Sequence, residues 1–216
     1  GGDGGGGDGG DGEEVACVPC ARRGPPAQPV ITPRFVPTCS MELMRGLAEI
    51  ASRHQLLITS HISENLGEIE WVRSLHPLEE SYTACYDSPG LLTPRTILAH
   101  GVYLGEQERA VLRSRGSSIS HCPLSNCMLR SGMLNVRRLI DEGVTVTLGT
   151  DVSGGASPSM LVAIREALNV SNLVSLYDKR AHPVPWPPLS YTEVFHLATA
   201  GDPASPRSYL VPSTPT

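Results

Sequence analysis

Four apolar or β-branched runs, residues 56–61, 96–100, 117–121 and 144–151, each close on a side chain that can bind a metal or move a proton. Those side chains are His61, His100, His121 and Asp151. A neutral imidazole at a strand tip is a good zinc ligand. Three residues beyond His61 stands Glu64, a carboxylate that can face the same opening and carry protons without touching a metal. Asp151 can bind a metal through one oxygen and accept a proton from an attacking water, while His100 suits a water or a developing oxyanion. Arg34 and Phe35, closing a first candidate strand, can hydrogen-bond and stack a planar substrate. Each has a plainer reading alone. A Glu near a helix start complements the dipole, an Asp after a strand caps the next helix, and a single His is usually structural. His121 and Asn126 are expected to shape the pocket rather than react, and His54, His76, His182 and His196 receive no role.

The elements between these tips read as helices. Ser40 suits an N-cap, and Met44, Leu47, Ala48 and Ala51 follow at helical spacing. A helix over 65–75 turns Leu66, Ile69 and Val72 inward and stops at His76-Pro77. The connection to Thr93 reads as a loop longer than a usual βα connection, and long loops at a barrel mouth often form lids. Leu104, Glu108, Val111 and Leu112 mark a further helix ended by Gly116, and others are expected over 133–142, through Leu161, Ile164 and Leu168, and over 192–200. Strand candidates fall at 30–35, 56–61, 96–100, 117–122 and 144–150, the last β-branched enough for a fully buried parallel strand. Polar tips on successive parallel strands build the mouth of a (β/α) barrel. The expected fold is therefore α/β: a partial (β/α)8 TIM-like barrel of the metal-dependent hydrolase type, with about five βα units, since a full barrel takes ~250 residues. An open five-stranded sheet is the alternative. It would carry a Gly-rich phosphate loop after its first strand, and Gly154-Gly155 follows the last one without the Lys-Ser/Thr of a P-loop.

Composition divides the 216 residues into a Gly-rich head at 1–29, the barrel portion at 30–200 and a Pro/Ser-rich tail at 201–216. The head is too poor in apolar residues to offset its ordering entropy and is expected to be disordered. Asp3, Asp8, Asp11, Glu13 and Glu14 account for the net charge of −5, leaving seventeen acids against seventeen bases elsewhere. No basic stripe invites nucleic acid, and no apolar run approaches the ~18 residues of a membrane span. Without a secretory pattern a cytoplasmic location is expected, with the six cysteines reduced. Cys17-Val-Pro-Cys20 has metal-ribbon spacing but no second pair at the right distance. The His-x-Glu with Pro-Cys-x-x-Cys zinc signature and the Gly-x-Ser-x-Gly elbow are both absent.

From about Val30 to Ala200 the chain resembles the guanine deaminases of the amidohydrolase superfamily. The resemblance rests on Pro33-Arg34-Phe35, on Ser60-His61-Ile62-Ser63-Glu64-Asn65, on Ala99-His100-Gly101, on His121-Cys122-Pro123-Leu124-Ser125-Asn126 and on Gly149-Thr150-Asp151-Val152-Ser153-Gly154-Gly155. Met160-Leu161 and Val194-Phe195-His196-Leu197-Ala198-Thr199 extend it. It implies one zinc held by His61 and Asp151, with Glu64 as proton shuttle and His100 as assisting base or electrophile. Arg34 and Phe35 would hold a purine beside His61, Glu64 and Asp151, and the assembly would be a homodimer. The implied reaction is hydrolysis of guanine to xanthine and ammonia, with zinc lowering the pKa of its water to ~7. The family's first strand supplies a His-x-His pair to that zinc, and no His-x-His occurs here. Two ligands fall short of the usual three. The chain is thus expected to be shortened at both ends, as a splice form or defective gene model, and weakly active or inactive alone. Two other functions fit the residues: deamination or dechlorination of another amino-heterocycle, and a non-catalytic fragment pairing with full-length subunits.

Overall fold

The structure, a computed structural model, describes residue 1 and residues 28–181 and 186–201. Cys17, Cys20 and most of the head, His182, and the tail after Gly201 lie outside the described residues. Strand β1 (Val30–Ile31) is only two residues long and leads through Arg34 and Phe35 to a 3-10 turn at Val36–Thr38. The strand expected to reach residue 35 stops early because Pro33 can donate no ladder hydrogen bond. Helix α1 (Met41–His54) starts where the Ser40 hydroxyl accepts from Leu43 N at 3.1 Å, and it buries Met44, Ala48 and Ala51. Strand β2 (Leu57–Ile62) and helix α2 (Leu66–Leu75) follow, the helix opened by a capping box between Asn65 and Glu68.

Two expectations fail in this stretch. Leu66 is exposed at the first turn of α2, and the buried residue there is Glu68. The segment after His76-Pro77 is not all loop: it contains helix α3 (Tyr82–Asp87), which buries Tyr82, Thr83, Cys85 and Tyr86. Then come β3 (Thr96–His100), α4 (Glu106–Arg115), β4 (Ser118–His121) and α5 (Pro123–Met128). Helix α5 was not expected; Pro123 at its first turn, where a missing N–H costs nothing, is the signal for it. Helix α6 (Val136–Asp141), β5 (Thr145–Leu148), α7 (Met160–Ala181) and α8 (Tyr191–Thr199) complete the order. On α7 the buried side is Ala163, Ile164, Ala167 and Val170, and Leu161 faces solvent.

The five strands are all parallel and stand in the order β1-β2-β3-β4-β5. An open doubly wound sheet reverses its order at a switch point. An unreversed run is an arc of a barrel, as expected. The strands alternate in burial, with Ile58, Ser60, Ile62, Leu98, Val146 and Leu148 buried. Thr59, His61, Ala99, Ser120 and Thr147 are only half-buried. Strand β5 is therefore covered on one face and not on both. No helix among the described residues is long and apolar enough to cross a membrane.

Candidate active site

Neighbouring strand tips bring the first two imidazoles together. In the ladder between β2 and β3, His61 pairs with Ala99 and Ile62 with His100, and the two rings stack with centroids 5.4 Å apart. His61 Nδ1 lies 2.7 Å from the Arg34 carbonyl oxygen. A carbonyl only accepts, so Nδ1 carries the hydrogen and Nε2 keeps its lone pair, as in a metal-binding imidazole oriented by a backbone partner. The His61 carbonyl is held in turn by α3. Tyr86 donates to it at 2.7 Å and Tyr82 approaches at 3.4 Å, while Tyr86 also shares a 2.6 Å bond with Ser60. Burial is the main reason both phenols are pushed well above their ordinary pKa, which keeps them neutral donors.

Glu64 does not serve the helix dipole. Asn65 caps α2, and the Glu64 carboxylate reaches across the site instead. Its Oε1 accepts from the Ser131 hydroxyl at 2.8 Å, and its Oε2 stands 3.8 Å from His100 Nε2. The backbone beneath it is fixed by Glu68, whose Oε2 accepts from Glu64 N at 2.8 Å and whose Oε1 accepts from the Tyr82 hydroxyl at 2.7 Å. His100 Nδ1 lies 2.8 Å from Asn126 Oδ1, so with that amide placement Nδ1–H donates and Nε2 is directed at the carboxylate.

Beside this pair stands a third imidazole. His121 is fully buried, and among the described residues neither ring nitrogen meets a partner. Burial, then the nearby His100, pushes its pKa down to about 3, so the ring is neutral at any working pH. The Cys122 thiol is pushed up to about 12 by burial first and then by the charges of Asp151 and Glu64. Asp151 itself does not cap a helix, since α7 begins nine residues later. Its Oδ2 lies beside Ser125 Oγ: a side-chain carbon on Gly154 would stand 2.8 Å from the first and 2.9 Å from the second. Only glycine leaves room there.

Backbone strain marks the same place. Among the described residues five non-glycines adopt positive φ: Gln55, Ser63, His100, Arg130 and Asp151. Gln55 ends α1; the other four lie in or next to the site. Such residues cost about 1–3 kcal/mol each and persist where the surroundings overdetermine them. Arg34 and Phe35 sit beyond β1 at the same end. The Arg34 guanidinium lies 5.0 Å from the Phe35 ring centroid, and that ring meets Trp71 edge-on at 5.9 Å. A cavity of about 860 Å³ between α2, α3 and α4 reaches Ser63, Tyr82 and Tyr103 from behind but includes none of the strand-tip His or Asp residues.

His61 and Asp151 are suitable in type for a metal, but among the described residues no three His, Cys, Asp or Glu side chains gather closely enough to hold one. A complete three-ligand centre does not fit these residues alone. Sequence reasoning missed Ser131, Glu68, Tyr82 and Tyr86. For Glu68 a signal existed, since Asn65-x-x-Glu68 is a capping-box pattern. Ser131 comes from a loop 67 residues further along, which no local pattern announces.

Comparison with known proteins places the fold in a family. The sequence profile of the Amidohydrolase family matches residues 16–201. The chain is 50% identical over 177 residues to a guanine deaminase of Mus musculus, covering 82% of this chain and 38% of that protein. It is 49% identical over 175 residues to a probable guanine deaminase of Schizosaccharomyces pombe, covering 80% and 32%. Among solved structures it resembles a guanine deaminase from C. acetobutylicum with guanine bound in the active site, with a TM-score of 0.74, 38% identity and coverage of 79% and 40%. The chain thus spans a third to two fifths of the length of such relatives. A triazine hydrolase variant at 22% identity and a TM-score of 0.68 shares the fold. On the profile match and these strand tips, the chain belongs to the amidohydrolase family.

Proposed function

We propose that the chain carries the proton-transfer and purine-holding part of a guanine deaminase site. The observation that supports this best is the Glu64 carboxylate, bonded to Ser131 on one oxygen and facing His100 with the other. Guanine plus water gives xanthine plus ammonia. Glu64 takes a proton from the attacking water as its oxygen bonds to C2 and delivers that proton to ring N3. It then carries the second proton to the leaving amino group, so that ammonia departs and the carboxylate is restored. His100, fixed by Asn126, turns Nε2 toward the Glu64 carboxylate and donates to the developing oxygen charge in its doubly protonated form. Arg34 and Phe35 hold the planar base by hydrogen bonding and stacking. His61 and Asp151 would be two of the donors to a metal, zinc in the family reading, which would supply an activated water.

The similarity to a structure holding guanine, and to several guanine deaminases, favours guanine over other amino-heterocycles. The test is xanthine and ammonia release by the purified chain, against a panel including adenine and aminotriazines. Glu64→Gln should lower turnover by about 10²- to 10⁴-fold. Ammonia from another amine with none from guanine would overturn the substrate reading. The absence of a three-donor cluster among the described residues favours a second reading, a non-catalytic fragment that pairs with longer subunits. Bound zinc near one per chain in the purified protein counts against it.

A further inference from the structure

We infer that Ser131 is the positioning residue for the Glu64 carboxylate, set in place by Tyr103 and Gly132. This rests on the reading of Glu64 as the proton carrier. Ser131 is buried, and its hydroxyl donates to Glu64 Oε1 at 2.8 Å. A serine hydroxyl has one hydrogen to give, so this bond commits Oε1. Oε2 is left as the oxygen opposite His100 Nε2 and the one free to exchange protons. Without the bond the carboxylate can rotate about its last torsion, which is broad and roughly two-fold, and the two oxygens become interchangeable.

The loop that presents Ser131 is built for that contact. Tyr103 ties both sides of the site: its backbone N–H donates to Ser63 O at 3.2 Å, and its hydroxyl donates to Ser131 O at 2.6 Å. Ser63 precedes Glu64, so a single residue after β3 holds the turn carrying the carboxylate and the turn carrying its partner. Arg130 and Gly132 on either side of Ser131 have positive φ, 57° and 147°. A side-chain carbon on Gly132 would stand 2.7 Å from the Tyr103 hydroxyl oxygen and 2.8 Å from Val102. Close approach to Tyr103 therefore requires glycine there, and the close approach brings the Ser131 hydroxyl within reach of Glu64.

The test uses the full chain with carboxyl-¹³C-labelled glutamate, the Glu64 line being assigned by its loss in Glu64→Gln. Ser131→Ala is expected to move that line, Ser131→Thr to return it toward its original position, and Ser114→Ala, on the exposed face of α4, to leave it alone. In guanine turnover Ser131→Ala should lower kcat by about 10- to 100-fold with KM within about twofold, since a misoriented proton carrier slows chemistry more than binding. Tyr103→Phe, which keeps the ring and removes only the bond to Ser131 O, should move the same carboxyl line in the same direction. An unmoved line in both Ser131→Ala and Tyr103→Phe overturns the inference. So does a moved line with unchanged kcat, or a loss that Ser131→Thr fails to restore. If the unaltered chain releases no ammonia from any amine, the deaminase reading fails, and the carboxyl line still decides whether Ser131 orients Glu64.

Discussion

Replacing Glu68 by alanine should cost about 3 kcal/mol of folding stability. Glu68 is 8% exposed. Its carboxylate takes two backbone N–H groups, Glu64 at 2.8 Å and Asn65 at 3.4 Å, and the Tyr82 hydroxyl at 2.7 Å. Loss of its half of the α2 capping box is worth about 1 kcal/mol. The buried Tyr82 hydroxyl loses a charge-assisted partner worth about 1.5–3 kcal/mol, part of which its weaker 3.4 Å approach to the His61 carbonyl recovers. Glu68→Gln keeps one accepting oxygen and turns the other position into a donor, so about half the loss, roughly 1.5 kcal/mol, should remain. Urea unfolding at neutral pH measures both, with the midpoint shifting at constant slope. A cycle pairing Glu68→Ala with Tyr82→Phe should show coupling of about 1 kcal/mol, as expected for contacting residues. A Glu68→Ala midpoint equal to that of the unaltered protein, or strict additivity in the cycle, refutes the reasoning.

Two further outcomes follow from buried charge. Arg109 is buried and grips Glu142 through Nε and Nη2 while donating from Nη1 to the Leu104 carbonyl. Arg109→Met should cost about 2 kcal/mol by urea unfolding, because it leaves a buried carbonyl without its partner and the Glu142 carboxylate with Arg138 alone. The Arg109 hydrogen bond is also the first reason the Glu142 carboxyl titrates below the usual range. That stabilisation is present above the unfolded value near pH 4.3 and lost as pH falls through the folded value. Arg109→Met should reduce that acid-dependent part and leave the share held by Arg138. His121, pushed down to about 3 by burial, works in a neighbouring window: its contribution is full above pH ~6.5 and falls by up to about 1.4 kcal/mol per pH unit below it. His121→Gln should flatten the stability curve between pH 6.5 and 4, and an unchanged slope there refutes the assignment.

The fold was readable where local chemistry decides it. Ser40 and Gly116 bound their helices by a side-chain cap and a left-handed turn, and β-branched runs ending on polar tips marked β2 to β5. Reading failed where tertiary packing decides. Tyr82 and Tyr86 lie in a segment with loop-like composition, and their hydroxyls find partners on Glu68, Ser60 and the His61 carbonyl only once the chain has folded. Leu66 looked like a core residue by spacing, yet the capping box turns Glu68 inward at that end of α2. Within the site, Glu64 and His100 were legible from type and position. Ser131 and Asn126 act through distances that close only when the crossovers are in place.

The unreversed strand order has a consequence for how the polypeptide assembles. Each strand hydrogen-bonds to the one before it in the sequence, so during synthesis from the N-terminus a newly emerged strand always finds its template already available. The sheet can grow by addition at one edge, like courses of brick, without waiting for a distant segment to return and fill a gap. Long-range closure is the slow step for parallel sheets, and this threading spreads it over four short crossings.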